Sequence, residues 1–209
     1  DDMTKWLFWA SVFLVLYPYI GYPLLVFVGG LLRPRRISRK SWQPMVPILI
    51  PAYNEAGCIA DTIQNKLELD YPKEKLQIIV ISDGSTDGTD DIVRTFAALG
   101  VELIRRQDRE GKAAGLNEAV RHARGEIIVF SDANSLFDRD AIMRMAENFS
   151  DPGVGYVTGK HRYVTEGSTL SGSGGSAYMK YENALRVLET RFGSIIGVNG
   201  GVDAIRRNL

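Results

Sequence analysis

The feature that most constrains this chain is a long apolar run near its N-terminus. Trp6–Leu32 comprises 27 residues without one Asp, Glu, Lys or Arg. As a helix it would measure about 40 Å at about 1.5 Å per residue, whereas the hydrocarbon core of a bilayer is about 30 Å thick. The run therefore predicts a membrane span, kinked at Pro18 and Pro23. A buried hairpin of a soluble protein is the alternative, and a cleaved signal peptide is disfavoured by the length of the run.

A basic cluster follows the apolar run and contains no acidic residue: Arg33, Arg35, Arg36, Arg39 and Lys40. Positively charged flanks stay on the cytosolic side, so we expect everything after the cluster to be cytosolic. We interpret residues 1–33 as a transmembrane anchor, 34–45 as a basic cytosolic linker and 46–209 as one folded domain. The predicted location is the plasma or inner membrane, with the domain in the cytosol.

Charge and cysteine usage exclude some classes of protein. The sequence has 25 basic and 25 acidic residues, a balance that gives no reason to expect nucleic acid as a partner. Cys58 is its one cysteine, so no intrachain disulfide forms. Only His122 and His161 accompany it, so the sequence offers no Cys/His cluster for zinc.

Beyond the linker, short apolar runs alternate with helical patterns. This alternation predicts an α/β fold with a mainly parallel sheet covered by helices on both faces. The predicted strands are Val46–Pro51, Leu76–Ser82, Val101–Arg105, Glu126–Ser131 and Gly155–Val164, and the predicted helices are Ala56–Leu69, Asp87–Leu99, Gly111–Ala123, Asp138–Asn148 and Ala177–Phe192. For the last helix, a membrane-surface position and packing on the sheet are both open.

Polar clusters stand where three of these strands end. Residues 52–55 follow the first strand, 83–88 the second and 132–134 the fourth. Ligands of parallel sheets bind beyond the carboxyl ends of the strands, so these clusters should meet at one edge. Their carboxylates suit a ligand that includes a metal or a polyol.

The motifs that form these clusters resemble the family-2 glycosyltransferases. They occur in the family's order and spacing: PAYNE (51–55), SDGSTDGT (82–89), REGKAAGLNEA (109–119) and SDAN (131–134). The apolar run and GVNGGVDAIRR (197–207) resemble the membrane-bound polysaccharide synthases within that family. The resemblance implies a GT-A fold, the Rossmann-like fold of nucleotide-diphospho-sugar transferases, over residues 46–209.

The resemblance also implies roles for matching residues. Ala52, Tyr53 and Glu55 would line the nucleoside pocket, although Tyr53 could equally be a packing residue. Asp83 would accept a hydrogen bond from uracil or ribose. Lys112 would lie near the base and the diphosphate. For Asp83 and Lys112 the alternatives are a turn residue and a solvated helix start.

Asp132 and Asn134 occupy the D-x-D position, which in the family holds ribose and a divalent cation. The implied cofactor is Mg2+ or Mn2+, which would stabilise the charge on a leaving nucleoside diphosphate. Asn134 stands where the family usually has a second Asp, and a neutral amide oxygen is a weaker metal ligand. Asp132 could instead be a turn residue, and Ser85 and Asp87 are interpreted as turn and cap residues.

Inverting transfer needs a base to deprotonate the acceptor. In the family this is an Asp in a later motif, so we expect the catalytic base beyond Leu209 and the chain to be incomplete at its C-terminus. Asp203 is disfavoured as the base, and His161 and Arg162 are interpreted as surface residues.

The predicted function is transfer of a sugar, with inversion and metal assistance, from a UDP-sugar to a polysaccharide or lipid-linked acceptor. A catalytically inactive, membrane-tethered scaffold that binds nucleotide-sugar is the alternative. A sugar nucleotidyltransferase ranks third, because AYNEAG stands where that class has a Gly-rich basic loop. The sequence indicates neither the sugar nor the oligomeric state.

Overall fold

The computed structural model describes residues 2–160, 170–197 and 201–208. They form two compact units. One contains the described residues of 1–36 and 162–198, and the other those of 37–161 and 199–209. The second and larger unit holds the sheet.

Among the described residues, six strands form one sheet in the order β3-β2-β1-β4-β6-β5. The β1, β2, β3 and β4 strands are parallel, whereas β6 is antiparallel to β4 and β5. The predicted α/β fold with a mainly parallel sheet is confirmed. The bounds are β1 Val46–Ala52, β2 Leu76–Asp83, β3 Val101–Arg106, β4 Ile127–Ser131, β5 Tyr156–Thr158 and β6 Val202–Arg206.

Two strands differ from the sequence prediction. The β5 strand ends at Thr158, so the long strand expected over Gly155–Val164 is shorter, and residues 161–164 lie outside the described residues. The β6 strand was not predicted, because Asp203 interrupts its short apolar pattern.

The strands are apolar on both sides because helices cover both faces of the sheet. In β1, Ile48 and Ile50 are buried in a core cluster with Ile63 of α3. Leu49 points the other way, into a cluster with Ala119 of α5. This arrangement is typical of a parallel sheet between two helical layers. The helices of this unit are α3 Ile59–Leu67, α4 Thr89–Thr95, α5 Lys112–His122 and α6 Ala141–Phe149.

In the smaller unit, Asp2–Leu32 forms one helical stretch. It consists of α1 (Asp2–Leu16), a π-helical turn (Tyr17–Gly21) and α2 (Tyr22–Leu32). Pro18 lies in the π-helical turn, where its missing N–H interrupts the regular hydrogen-bond ladder. Among the described residues, Asp2–Leu32 is the one helix long and apolar enough to cross a membrane.

The last helix, α7 (Leu170–Phe192), packs against α2 within the smaller unit. The Tyr22 hydroxyl donates a hydrogen bond to Glu189 Oε1 at 2.6 Å. Gly29 faces the Phe192 ring so closely that a Cβ at this position would lie 2.5 Å from the ring. Glycine therefore permits the close approach of the two helices.

Gly125, two residues before β4, makes a close backbone contact with Met45, the residue before β1. Its φ is +119°, and an added Cβ would lie 2.1 Å from the carbonyl oxygen of Met45. We expect Gly125→Ala to lower the free energy of unfolding by about 2 kcal/mol or more, through backbone strain and steric clash. Urea unfolding followed by far-UV circular dichroism measures it. Gly57→Ala is the control, because Gly57 has open space around it, and equal stabilities of the two variants would contradict the prediction.

Candidate functional site

The strand order reverses between β1 and β4, which are neighbours in the sheet although β2 and β3 intervene in the chain. Such a reversal opens a crevice at the carboxyl ends of the strands, where ligands of open α/β sheets bind. The segment 53–55 follows β1 and 132–134 follows β4. Two of the predicted clusters therefore flank the crevice.

The loop after β1 is tied to the loop after β2 through Asn54. The backbone N–H of Asn54 donates to Ser85 Oγ at 3.1 Å, and Thr86 N–H donates to Asn54 Oδ1 at 2.9 Å. Asn54 has a φ of +55°, a left-handed conformation that Asn tolerates better than most residues. The two loops thus form one rigid edge of the crevice.

Two further hydrogen bonds reinforce this edge. The backbone N–H of Glu55 donates to Thr89 Oγ1, and that of Ala56 donates to Asp87 Oδ2, both at 2.9 Å. Asp87 also accepts hydrogen bonds from the hydroxyl and the N–H of Thr89 at the start of α4. The Thr89 hydroxyl bond is the main cause that holds the pKa of Asp87 below its ordinary value. The N-cap residue of α4 is Gly88, without a side-chain cap, so Asp87 is a turn residue that binds Thr89 and also joins the loops, which was not predicted.

Tyr53 is an exposed aromatic residue at this edge. Its ring is 39% exposed, and the guanidinium carbon of Arg109 lies 4.0 Å from the ring centre. Ala52, in contrast, is buried in the core. Tyr53 and Arg109 together present a flat, cationic surface of the kind on which nucleobases stack.

Glu55 lies partly buried behind this edge and is held by Cys58. The Cys58 thiol donates to Glu55 Oε2 at 3.1 Å. Burial first, and then this hydrogen bond, raises the pKa of Cys58 to about 11, so the thiol is protonated at neutral pH. Cys58 is therefore a hydrogen-bond donor that orients Glu55.

Asp83, at the end of β2, is buried and engaged with the segment after β3. It accepts hydrogen bonds from Gly111 N–H at 2.7 Å and from Glu110 N–H at 3.2 Å. Arg106 contributes a third at 3.2 Å. An ionised carboxylate accepts about four hydrogen bonds, so Asp83 keeps capacity for about one ligand group.

Arg106 is a site residue that sequence reasoning missed. Its guanidinium contacts three carboxylates, those of Asp83, Glu110 and Glu118, and is itself only 11% exposed. The parallel register pairs Asp83 of β2 with Arg106 of β3. This pairing depends on the register of β2 against β3, which the sequence pattern does not define.

Lys112 and Asp132 come together at the crevice. Lys112 is the first residue of α5, and its Nζ lies 2.5 Å from Asp132 Oδ1. Both side chains are partly open to solvent, at 53% and 37% exposure. An exposed lysine beside a carboxylate can exchange its partner for a phosphate oxygen without a large desolvation cost.

Asn134 is exposed two residues beyond Asp132. Among residues 2–160, 170–197 and 201–208, no three His, Cys, Asp or Glu side chains are grouped closely enough to hold a metal ion. The carboxylate of Asp132 and the amide oxygen of Asn134 nevertheless suit a hard cation that takes its other ligands from a diphosphate. The residues present thus fit a nucleotide-borne cation rather than an all-protein metal site.

Asp203 does not present a solvent-exposed carboxylate to the site. It is 6% exposed in β6, where Tyr156 donates a hydrogen bond to it at 2.5 Å. His161 and Arg162 lie outside the described residues.

Lys66 is a fully buried lysine on α3 that the sequence pattern did not single out. Its Nζ donates to Asn65 Oδ1 at 3.1 Å and lies 3.7 Å from the centre of the Phe137 ring. Burial lowers its pKa to about 7. The lysine thus lies beside the segment that follows Asp132 and Asn134.

The chain belongs to the Glycosyl transferase family 2, whose family model matches residues 48–204. The recognised motifs and the GT-A fold are thereby confirmed. A poly-β-1,6-N-acetyl-D-glucosamine synthase of Staphylococcus aureus (strain MSSA476) is 32% identical over 157 residues. The match covers 74% of this chain and 38% of the synthase, so the chain spans less than half of that relative.

Two solved structures are similar. The mannosyltransferase PcManGT of Pyrobaculum calidifontis, in complex with GDP-Man and Mn2+, has a TM-score of 0.78 and 32% identity, covering 95% of this chain and 56% of that one. S. aureus TarS in complex with UDP-GlcNAc has a TM-score of 0.54 and 22% identity, covering 60% of this chain and 37% of that one, which supports the fold alone.

The Arg106 contacts predict a large stability cost for Arg106→Met. The substitution leaves the buried Asp83 carboxylate without its cation, and we expect the free energy of unfolding to fall by about 3 kcal/mol. Arg94→Met is the matched control, because Arg94 pairs with the exposed Asp91 and such pairs contribute at most about 1 kcal/mol. Urea unfolding compares the two variants, and equal losses would contradict the prediction.

The lowered pKa of Lys66 predicts a pH-dependent stability. Between pH 7 and its ordinary value of 10.5, the unfolded lysine binds a proton that the folded one does not, so stability rises with pH in this window. Below pH 7 Lys66 is protonated in both the folded and the unfolded state, so the full cost of burying its charge lowers the stability. The stability advantage of Lys66→Met over the unaltered chain should therefore shrink by about 2–3 kcal/mol from pH 7 to pH 9. Urea unfolding at both pH values measures this difference, and a constant difference would contradict the lowered pKa.

Proposed function

We propose that this chain provides the donor-binding part of a membrane-anchored, inverting glycosyltransferase. The donor is a UDP-sugar, and the acceptor is a polysaccharide or a lipid-linked sugar. The observation that carries this proposal is the solvent-accessible pair of Lys112 and Asp132, beside the crevice of a family-2 domain. A cation and a carboxylate at that position match a diphosphate on one side and a ribose or metal ion on the other.

Each site residue then has a defined task. Lys112 leaves Asp132 and pairs with the diphosphate. It then neutralises the negative charge that develops on the diphosphate as the bond to the sugar breaks. Tyr53, with Arg109 against its ring, supports the base by stacking. Asp83 uses its remaining acceptor capacity for the uracil N–H or a ribose hydroxyl. Glu55, oriented by Cys58, completes the nucleoside pocket beside the backbone of Ala52.

Asp132 and Asn134 are the residues that would hold Mg2+ or Mn2+. When bound, the cation supplies Lewis-acid stabilisation of the diphosphate leaving group. The exposed oxygen atoms of both residues and the Mn2+ in the PcManGT structure support this proposal. Because Asn134 is neutral, we expect cation affinity to depend on the nucleotide.

The proposed location is a membrane, with Asp2–Leu32 as its span and the sheet-containing unit in the cytosol. The apolar helix and the basic residues directly after it support this orientation. We retain residues 1–33 as the anchor, 34–45 as the linker and 46–209 as the transferase domain, of which the described residues of 162–198 belong to the same compact unit as the anchor.

A GDP-sugar is the second candidate donor. It is favoured by the mannosyltransferase structure, which contains GDP-Man and is 32% identical to this chain. The two donors differ in the base, so nucleotide affinities separate them.

Calorimetric titration of the detergent-solubilised chain with UDP, GDP and ADP, each with and without Mn2+, tests the proposal. We expect UDP to bind most tightly and Mn2+ to strengthen its binding. Asp132→Asn should weaken UDP binding in Mn2+ by about tenfold or more, because the substitution removes a charged ligand.

Asp91→Asn is the control for the loss of a carboxylate, because Asp91 is an exposed residue of α4 paired with Arg94. Tighter binding of GDP than of UDP would move the donor assignment to a GDP-sugar. Absence of binding to all three nucleotides by a folded chain would contradict a donor site and favour a scaffold.

A further inference from the structure

The segment 132–137, which follows β4, begins with a turn over residues 132–135 that is closed by a hydrogen bond from Ser135 N–H to Asp132 O at 3.2 Å. Ala133 and Phe137 are buried, at 4% and 6% exposure, whereas Asn134 and Leu136 are exposed. Asp132, at the start of the turn, is partly exposed and contacts Lys112. The segment therefore has an inward side at Ala133 and Phe137 and presents Asp132 and Asn134 outward.

Side chains of α3 donate hydrogen bonds to carbonyl groups of this segment. Thr62 Oγ1 donates to Ala133 O at 2.6 Å, and Lys66 Nζ donates to Ser135 O at 2.5 Å. Both donors are buried, at 1% and 0% exposure. The carbonyl groups of Ala133 and Ser135 are thus both hydrogen-bonded to side chains of one helix.

The Asn65 side chain binds both backbone groups of Phe137. Its Nδ2 donates to Phe137 O at 3.0 Å, and Phe137 N–H donates to Asn65 Oδ1 at 2.7 Å. Lys66 also donates to Asn65 Oδ1, so the amide is fixed in one orientation. Positions 62, 65 and 66 are three and four residues apart, which places them on one face of the helix.

We propose that α3 is the positioning element of the donor- and metal-binding loop, in which Thr62, Asn65 and Lys66 keep Asp132 and Asn134 facing outward. This inference rests on the proposed function. The physical reason is that α3 fixes the carbonyl groups of Ala133 and Ser135, the two residues on either side of Asn134, and so fixes the turn that begins at Asp132. Lys66, Thr62 and Asn65 are therefore positioning residues, which act on the ligand through the loop.

Stability alone does not account for a lysine at this position. Burial lowers its pKa to about 7, so the charged form carries a desolvation cost in the folded state. A methionine has a similar length and avoids that cost, but it has no donor for Ser135 O. The contribution specific to Lys66 is the contact with the loop.

Hydrogen exchange of the nucleotide-free full chain tests whether α3 holds the loop. We expect amides 133–137 to exchange about tenfold faster in Lys66→Met and in Thr62→Val than in the unaltered chain, because the loop opens locally. Ile63→Val is the matched control on the same helix. Ile63 is buried in the core cluster, and its shortening lowers stability by about 1 kcal/mol without removing a donor. Loop exchange in the two variants no faster than in Ile63→Val would overturn the proposal.

Nucleotide titration tests the consequence for the ligand. The ratio of the UDP dissociation constants without and with Mn2+ should fall about tenfold in Lys66→Met, whereas the metal-free constant should stay within about twofold. A general loss of structure would weaken both constants. An unchanged Mn2+ ratio despite faster loop exchange would overturn the positioning role. A lack of any Mn2+ effect in the unaltered chain would overturn the proposed metal function, and the exchange comparison would still decide whether α3 holds the loop.

Discussion

The candidate site depends on the parallel pairing of β1 with strands on both sides. The register joins Ala52 to Ser82 of β2 and Ile48 to Val129 of β4. Because parallel strands end at the same edge, this pairing brings chain segments from residues 53 and 132 to one crevice. The isoleucine-rich faces of these strands fill both core clusters, so the same burial that stabilises the sheet also fixes the position of the site.

The sequence was sufficient to predict the strands that carry the site and the edge at which they meet. Long apolar runs identify β1 and β2 because both faces are covered. The motifs at the ends of β1, β2, β3 and β4 point to Tyr53, Asp83, Lys112 and Asp132 in that order, and the structure brings Lys112 and Asp132 together. The roles of these residues toward a nucleotide stay predictions, because a role depends on the ligand as well as on the fold.

The unpredicted parts are polar groups that point into the protein. Lys66 lies seven residues after Ile59 and three after Ile63, on the apolar face of α3, and this polar residue is fully buried there. Asp203 is likewise a buried polar residue, and it interrupts the apolar run of β6. The partners of such residues come from distant segments, as with Arg106 and Asp83, and only the three-dimensional register defines them. Sequence patterns record which residues are apolar, whereas these contacts depend on which buried polar groups meet.

The hydrogen bonds from α3 to segment 132–137 limit how this loop can change over evolution. A substitution at an exposed position such as Leu136 alters the surface of the loop and leaves the bonded carbonyl groups in place. An insertion or deletion of one residue, in contrast, would place a wrong carbonyl group opposite each donor of α3. Under the proposed donor-binding role, new donor preferences should therefore arise through changes of residue type at constant loop length.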